Sequence, residues 1–324
     1  MPIARRSAIV AACSTALLAF AGTASAQSWP TKPVRLLVGF PGGSTPDVVA
    51  RIVAEPLSKA LGQPIVVENK PGASGNISAD LVAKATDDHT IGVVINGNLT
   101  SSQMLYPNLP YDPAKDFSYI SLLATAPLVL VANNNLPTGK EFLPAAAASG
   151  QKWSYGSVGV GSVGHLGMEL MESRVPGFKA VHVPYRGNPQ ILTDMIGGQV
   201  QLALIPPGLA MPQVQAGKVK AIGLTTAGRS ALVPDLPSLS EIGVKDFNLE
   251  VWTALLGPAS LSPVAQKRLS TELAVIMKSP DVRKKLFDQG WQAVGTSPEG
   301  MKLRVKDEAA IMGKIISTKG IKLN

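Results

Sequence analysis

The sequence predicts an α/β chain of two lobes joined by two crossing strands, and three observations carry that prediction. Short apolar runs of strand length alternate with longer stretches of helical period along the whole chain. Most of these runs end in a loop of glycine and small polar residues that opens into the next helix. Finally, a 324-residue chain is longer than one core usually fills, since single cores stop growing near about 250–300 residues. The runs around Pro127–Val131 and Phe247–Leu256 stand where connections between lobes belong. They divide the chain into a first lobe of residues 27–127 and 252–324 and a second lobe of residues 128–251, with the cleft between them.

The first 26 residues are expected to be an export signal. Arg5 and Arg6 precede the apolar stretch Ala8–Phe20, and Ala24-Ser25-Ala26 supplies the small residues of a cleavage site before Gln27. The product would then be periplasmic. The single cysteine, Cys13, leaves with that segment, which removes disulfides, a thiolate nucleophile and cysteine-based metal sites from consideration. The formal charge of +8 falls by two when Arg5 and Arg6 are removed. The remaining cations are scattered and few aromatic residues stand among them, so nothing resembles the basic stripe of a nucleic-acid binder.

Val34–Val38 reads as a buried strand, Gly39–Ser44 as turn chemistry, and Asp47–Leu61 as an amphipathic helix closed by Gly62. Such a loop is either an ordinary βα turn or an anion site that uses the free amides of a helix N-terminus. The arrangement recurs. The strand Pro64–Glu68 leads through Asn69–Asn76 into a helix, and Thr90–Ile95 ends in Asn96–Ser101. In the second lobe Trp153–Ser157 is followed by the loop Val158–Gly164 and the helix His165–Arg174. Lys179–Val183 runs into Pro184–Pro189 and the helix Gln190–Ile196. The strands Val200–Ile205 and Lys220–Thr225 follow, and the helices Pro263–Lys278, Asp281–Gln289 and Pro298–Ile316 return to the first lobe.

Four chemistries are conceivable on these loops. Gly159-x-Gly161-x-x-Gly164 has the spacing of a dinucleotide loop, but Arg186 stands near where an acidic residue would hold the ribose, so no cofactor is expected. Gly223–Ser230 has arginine where a phosphate loop needs lysine. No Gly-x-Ser-x-Gly nucleophile turn occurs, and capping is the job that suits Ser162 with His165 three residues on. An exported serine hydrolase or transferase using Ser162 or Ser157 with His165 remains the alternative. No spacing of His, Cys or acidic residues supports a metal. Collectively the loops offer amide, hydroxyl and backbone donors and almost no acid apart from Asp47, which is the chemistry of a site that holds a small anion without transforming it.

With these loops laid out, the chain resembles the substrate-binding receptors of tripartite tricarboxylate transporters, often called Bug receptors. The resemblance is carried by Trp29–Pro41, by Val66–Asn76, by Tyr155–Leu166, by Val183-Pro-Tyr-Arg-Gly187 with Gly197-Gly-Gln199, and by Leu232–Gly243. It implies a type II periplasmic binding fold that closes on a carboxylate and hands it to membrane permease subunits, as a monomer. A ligand-presenting partner of a membrane sensor kinase is a further reading that the sequence does not separate from transport. Carried over by position, the resemblance places Phe40, Pro41, Gly42, Gly43, Ser44, Thr45, Asp47, Asn96, Asn98, Thr100 and Ser101 on one wall. Ser157, Ser162, Val163, Gly164, His165 and Arg186 fall on the other, with Ile205 beside them. The loop Phe40–Asp47 departs from the family order by one residue and carries Pro46. Where many relatives place an aspartate, Ile205-Pro206-Pro207 is apolar, which disfavours an amino-bearing ligand and suits an aromatic or longer aliphatic dicarboxylate.

Overall fold

The computed structural model describes residues 29–322; the expected export signal and its cleavage site lie outside the described residues. The first strand, β1 (Val34–Val38), is all but wholly buried, and a glycine turn delivers the chain to α1 (Thr45–Leu61). Helix α1 forms because Pro46 is preset for a first turn, and Val49, Val53, Leu57 and Leu61 recur as one buried stripe. Gly62 ends it in the left-handed conformation, with φ 73°, that a C-terminal cap requires. The chain continues through β2 (Ile65–Asn69), α2 (Asn76–Ala83), β3 (Thr90–Ile95), and the single turns α3 (Asn96–Leu99) and α4 (Ser102–Leu105). The sequence marked Asn96–Ser101 only as a polar loop. The two turns are too short to carry a helical period, which is why the pattern missed them.

Long apolar strand β4 (Phe117–Pro127) runs to Leu128, after which β5 (Val129–Ala132) belongs to a different sheet. The chain then folds α5 (Phe142–Ser149), β6 (Gly150–Ser157), α6 (Val163–Arg174), β7 (Phe178–Pro184), α7 (Asn188–Ile196), β8 (Leu202–Ile205), α8 (Pro207–Gln215) and β9 (Lys220–Leu224). It returns through β10 (Glu250–Pro258), α9 (Pro263–Ile276), α10 (Pro280–Asp288), β11 (Gln292–Ala293) and α11 (Pro298–Lys319).

One sheet has six strands in the order β11-β4-β10-β3-β1-β2, and the other has five in the order β7-β6-β8-β5-β9. Parallel pairing holds for β1 with β2 and β3, and for β6 with β7 and β8. The strands at the two passages between sheets are antiparallel to their neighbours: β10 against β3 and β4, and β5 against β8 and β9. Alternation of strands and helices along the chain predicts parallel strands, and the passages depart from it. A strand that enters a sheet from outside arrives at its opposite end, and apolar periodicity carries no information on direction.

One apolar cluster runs through both sheets, from Val34, Leu36 and Val53 to Leu166, Leu204 and Phe247. Helix α11 packs both on β4 and on α6, bridging the two sheets. Its Glu308 is buried at 5 % exposure and accepts hydrogen bonds from Trp252 Nε1 (2.7 Å) and Asn96 Nδ2. Burial pushes the Glu308 carboxyl up, against the opposing pull of these two donors and of Arg304. Among the described residues no helix is long and apolar enough to cross a membrane.

Candidate functional site

A cavity lies between the two sheets. Its floor and walls are Phe40, Ile95, Leu128, Val158, Leu204, Pro206, Val251 and Trp291, and its polar groups come from Ser44, Thr45, Ser162, Gly164 and Asn188. It leaves about 40 Å³ to the centres of water-sized spheres, room for a few waters by the ~10–15 Å³ each requires.

Contacts across the cleft hold the halves together. Ser101 Oγ donates to Gly161 O (2.6 Å), and Asn188 Nδ2 donates to Thr45 Oγ1 (3.1 Å). Tyr106 OH and Ser74 Oγ both reach Val160 O at 3.3 Å.

Two helix starts meet at the cavity from opposite sides. On the first side the loop Phe40–Ser44 is fixed by Asp47, which accepts from Gly43 N (2.9 Å), Arg51 Nε (3.0 Å) and Asn69 Nδ2 (2.8 Å). The second Asn69 N–H reaches Phe40 O at 2.8 Å, so the loop is tied to the end of β2. Burial opposes ionisation of Asp47, but the bonds from Arg51, Asn69 and Gly43 together hold its carboxyl below the usual range. Gly43 adopts φ 76°, where a side chain would be strained. Ser44 heads α1 with the extended backbone of an N-cap, yet its hydroxyl makes no cap bond and has no partner. It is 2 % exposed and lines the cavity.

On the other side Ser162 heads α6. Its hydroxyl accepts from His165 N (3.3 Å) and donates to Gly159 O (2.8 Å). The amides of Val163 and Gly164 precede the first intrahelical bond, and both residues line the cavity. With the first turn of α1 opposite, the cavity sees two positive helix ends. No acidic side chain is among its lining residues.

The site residues expected from sequence are placed differently by the fold. Phe40, Ser44, Thr45, Ser162, Val163 and Gly164 come together on the cavity. Asp47, Asn96, Asn98, Thr100, Ser101, Ser157 and His165 are buried, and their side chains bond to protein groups. Asn98 holds Ile95 N, Ser74 O and Asn76, Thr100 Oγ1 donates to Asn96 O, and Asn96 donates to Glu250 O and Glu308. Pro41 packs at the rim opposite Gly187. Gly42, Gly43 and Arg186 are exposed, and Ile205 points into the core beside lining neighbours Leu204 and Pro206.

The serine–histidine pair weighed for hydrolysis is arranged as a cap. His165 Nδ1 accepts from Gly161 N (3.2 Å), and Ser162 Oγ is bonded to the backbone N of His165 and not to its ring. Ser157 Oγ lies 2.7 Å from His182 Nε2 in a ring cluster where His165 and His182 are 4.2 Å apart and Tyr155 lies 5.0 Å from His182 and 6.4 Å from His165. Burial, and then the neighbouring His182, hold His165 down to about 3, and burial holds His182 down to about 4. Both are neutral packing groups near pH 7. Neither Ser157 nor either histidine lines the cavity. Among the described residues no group of three or more His, Cys, Asp or Glu is placed to hold a metal.

Sequence reasoning did not single out Leu128, Asn188, Val251 and Trp291. Leu128 and Val251 stand at the two passages between sheets, where strand patterning flagged a crossing without showing that its side chains face the cleft. Asn188 begins α7, and an Asn-Pro helix start was a usable signal. Trp291 carries no local signal.

A family model described as "Tripartite tricarboxylate transporter family receptor" matches residues 49–321. A protein of Agrobacterium vitis, from the TAR-I ttuE-ttuC' intergenic region, is 33 % identical over 299 residues, which cover 91 % of this chain and 86 % of that protein. Among solved structures, R. palustris Rpa4515 with adipate superposes with a TM-score of 0.88 at 32 % identity, covering 91 % of this chain and all of the other. MatC of Rhodopseudomonas palustris with bound malate gives 0.83 at 29 % identity, covering 89 % and 100 %.

Proposed function

This chain belongs to the tripartite tricarboxylate transporter receptor family, and from that premise we propose that its cleft captures a small dicarboxylate for membrane permease subunits. Its fold is the type II periplasmic binding fold, and the family works as periplasmic carboxylate receptors alongside tripartite membrane subunits. We divide it into an export signal of residues 1–26, a first lobe of residues 27–127 and 252–324, and a second of residues 128–251.

One observation carries the reading. A cavity between the sheets receives helix starts from both lobes and is lined by Ser44, whose hydroxyl is unpartnered, with no acid on its walls. A carboxylate supplies what these donors lack, since it accepts several hydrogen bonds and is favoured at a helix N-terminus. The apolar remainder, with Phe40, Leu128, Leu204 and Pro206, suits methylene groups between two carboxylates, and the missing acid leaves an amino group without a partner. Capture proceeds by hinge closure, with the ligand bridging the lobes and the contacts of Ser101 and Asn188 re-forming around it.

Calorimetric titration of the mature chain with adipate, malate, glutamate and an amine of matched length tests this. Saturable one-to-one binding of a dicarboxylate, with the amino compounds weaker, is the expected result. Binding of amino acids with no response to dicarboxylates overturns it.

A further inference from the structure

Trp291 is one of three buried tryptophans, and it differs from the other two in one respect. Trp29 Nε1 donates to Asp88 O at 2.7 Å, and Trp252 Nε1 donates to Glu308 at 2.7 Å. Trp291 is 1 % exposed, lines the cavity, and its Nε1 has no partner. A buried indole N–H ordinarily finds an acceptor, because an unpaired buried donor is costly. The other unpartnered side-chain donor on the cavity is Ser44 Oγ.

The backbone just before Trp291 touches the other lobe. Residues Gln289 and Gly290 of the first lobe lie against the start of α8 in the second. A Cβ on Gly208 would stand 1.8 Å from Gln289 O, and one on Gly290 would stand 2.3 Å from Gly208 N. Trp291 N donates to Leu286 O (2.9 Å), which anchors the residue to the end of α10. The ring is thus held by the first lobe, next to the point where that lobe touches the second.

We propose that Trp291 is a specificity-determining ligand contact. Its indole N–H donates to an oxygen of the ligand's second carboxylate, while its ring covers the intervening methylenes. This rests on the carboxylate reading above and deepens it. A ligand with oxygen at both ends satisfies both Ser44 and Trp291. A monocarboxylate of the same length leaves one of them unpaired.

The test compares adipate with hexanoate on the mature protein and on Trp291→Phe, which keeps an apolar ring and removes the donor. In the unaltered protein adipate binds more tightly than hexanoate. In Trp291→Phe adipate affinity falls about tenfold or more, hexanoate affinity changes little, and the preference shrinks. Equal losses for both ligands, or an unchanged adipate affinity, overturn the proposal while leaving the carboxylate reading intact. Absence of adipate and malate binding in the unaltered protein instead removes the reading beneath it. Should Trp291→Phe fold poorly, the same question is put to the unaltered protein with ¹⁵N-labelled tryptophan. Adipate is expected to shift the indole N–H signal assigned to Trp291 and hexanoate to shift it less, and an unmoved signal overturns the proposal.

Discussion

Ser44 and Ser162 both head helices at the cavity, and the structure gives them different tasks that a pair of alanine variants separates. Ser162 caps α6 by accepting from His165 N at 3.3 Å, and removing a cap of this kind costs about 1 kcal/mol. In a chain of this size that lowers Tm by roughly 1–2 °C. Ser44 makes no cap bond, and its hydroxyl is buried without a partner, so Ser44→Ala removes an unpaired group from the unliganded protein. Its Tm without ligand should be unchanged or slightly raised. With a dicarboxylate bound, the same hydroxyl donates to a charged acceptor, worth about 1.5–3 kcal/mol, or about 10- to 100-fold in Kd. Scanning calorimetry without ligand and isothermal titration with adipate read the two effects independently. If Ser44→Ala lowers Tm as far as Ser162→Ala does and leaves adipate affinity unchanged, the assignment of Ser44 to the ligand is refuted.

The remaining predictions concern the frame of the site. His165 and His182 are held below the ordinary imidazole value of about 6.5, so the unfolded chain binds protons that the folded chain refuses. Stability therefore falls as pH drops below about 6.5, by about 2 kcal/mol between pH 7 and pH 5 from the 5 %-exposed His165 alone. Urea unfolding at the two pH values checks this, and equal midpoints would contradict it. Glu308→Ala leaves the buried Trp252 Nε1 unpaired and removes one of the two acceptors of Asn96 Nδ2, at about 1–3 kcal/mol each, and should lower Tm by several degrees; an unchanged melt refutes the anchoring of Trp252 and Asn96 by Glu308. Gly208→Ala places a Cβ against Gln289 O, so the cleft should stay open and adipate should bind more weakly. Small-angle scattering in saturating adipate then shows a larger radius of gyration than for the unaltered protein, and identical profiles would count against the glycine contact between the lobes.

Much of this arrangement is legible in the sequence because it is local. The stripe of Val49, Val53 and Leu57, the cap at Gly62, and the glycine loops before α1 and α6 each declare themselves within a few residues. The repeat of strand, loop and helix in both halves pointed to the facing helix starts. What the sequence hides is long-range. Asn96 sits in a polar loop like any ligand residue, and only the fold shows its amide spent on Glu308, 212 positions away. Asp47 looks like the lone acid of a site, and the structure shows its oxygens occupied by Gly43, Arg51 and Asn69. The antiparallel entry of β5 and β10 follows from chain path, which periodicity does not encode. Trp291 lines the cavity next to a glycine contact between lobes, with no motif around it.

A crystal structure of the mature chain with adipate tests the central claim most directly. The account predicts one carboxylate within about 3 Å of Ser44 Oγ and the first turn of α1, and the ligand spanning to the Val163 and Gly164 amides and to Trp291 Nε1. Adipate bound outside the cleft, or held in it by groups of one lobe alone, would contradict it.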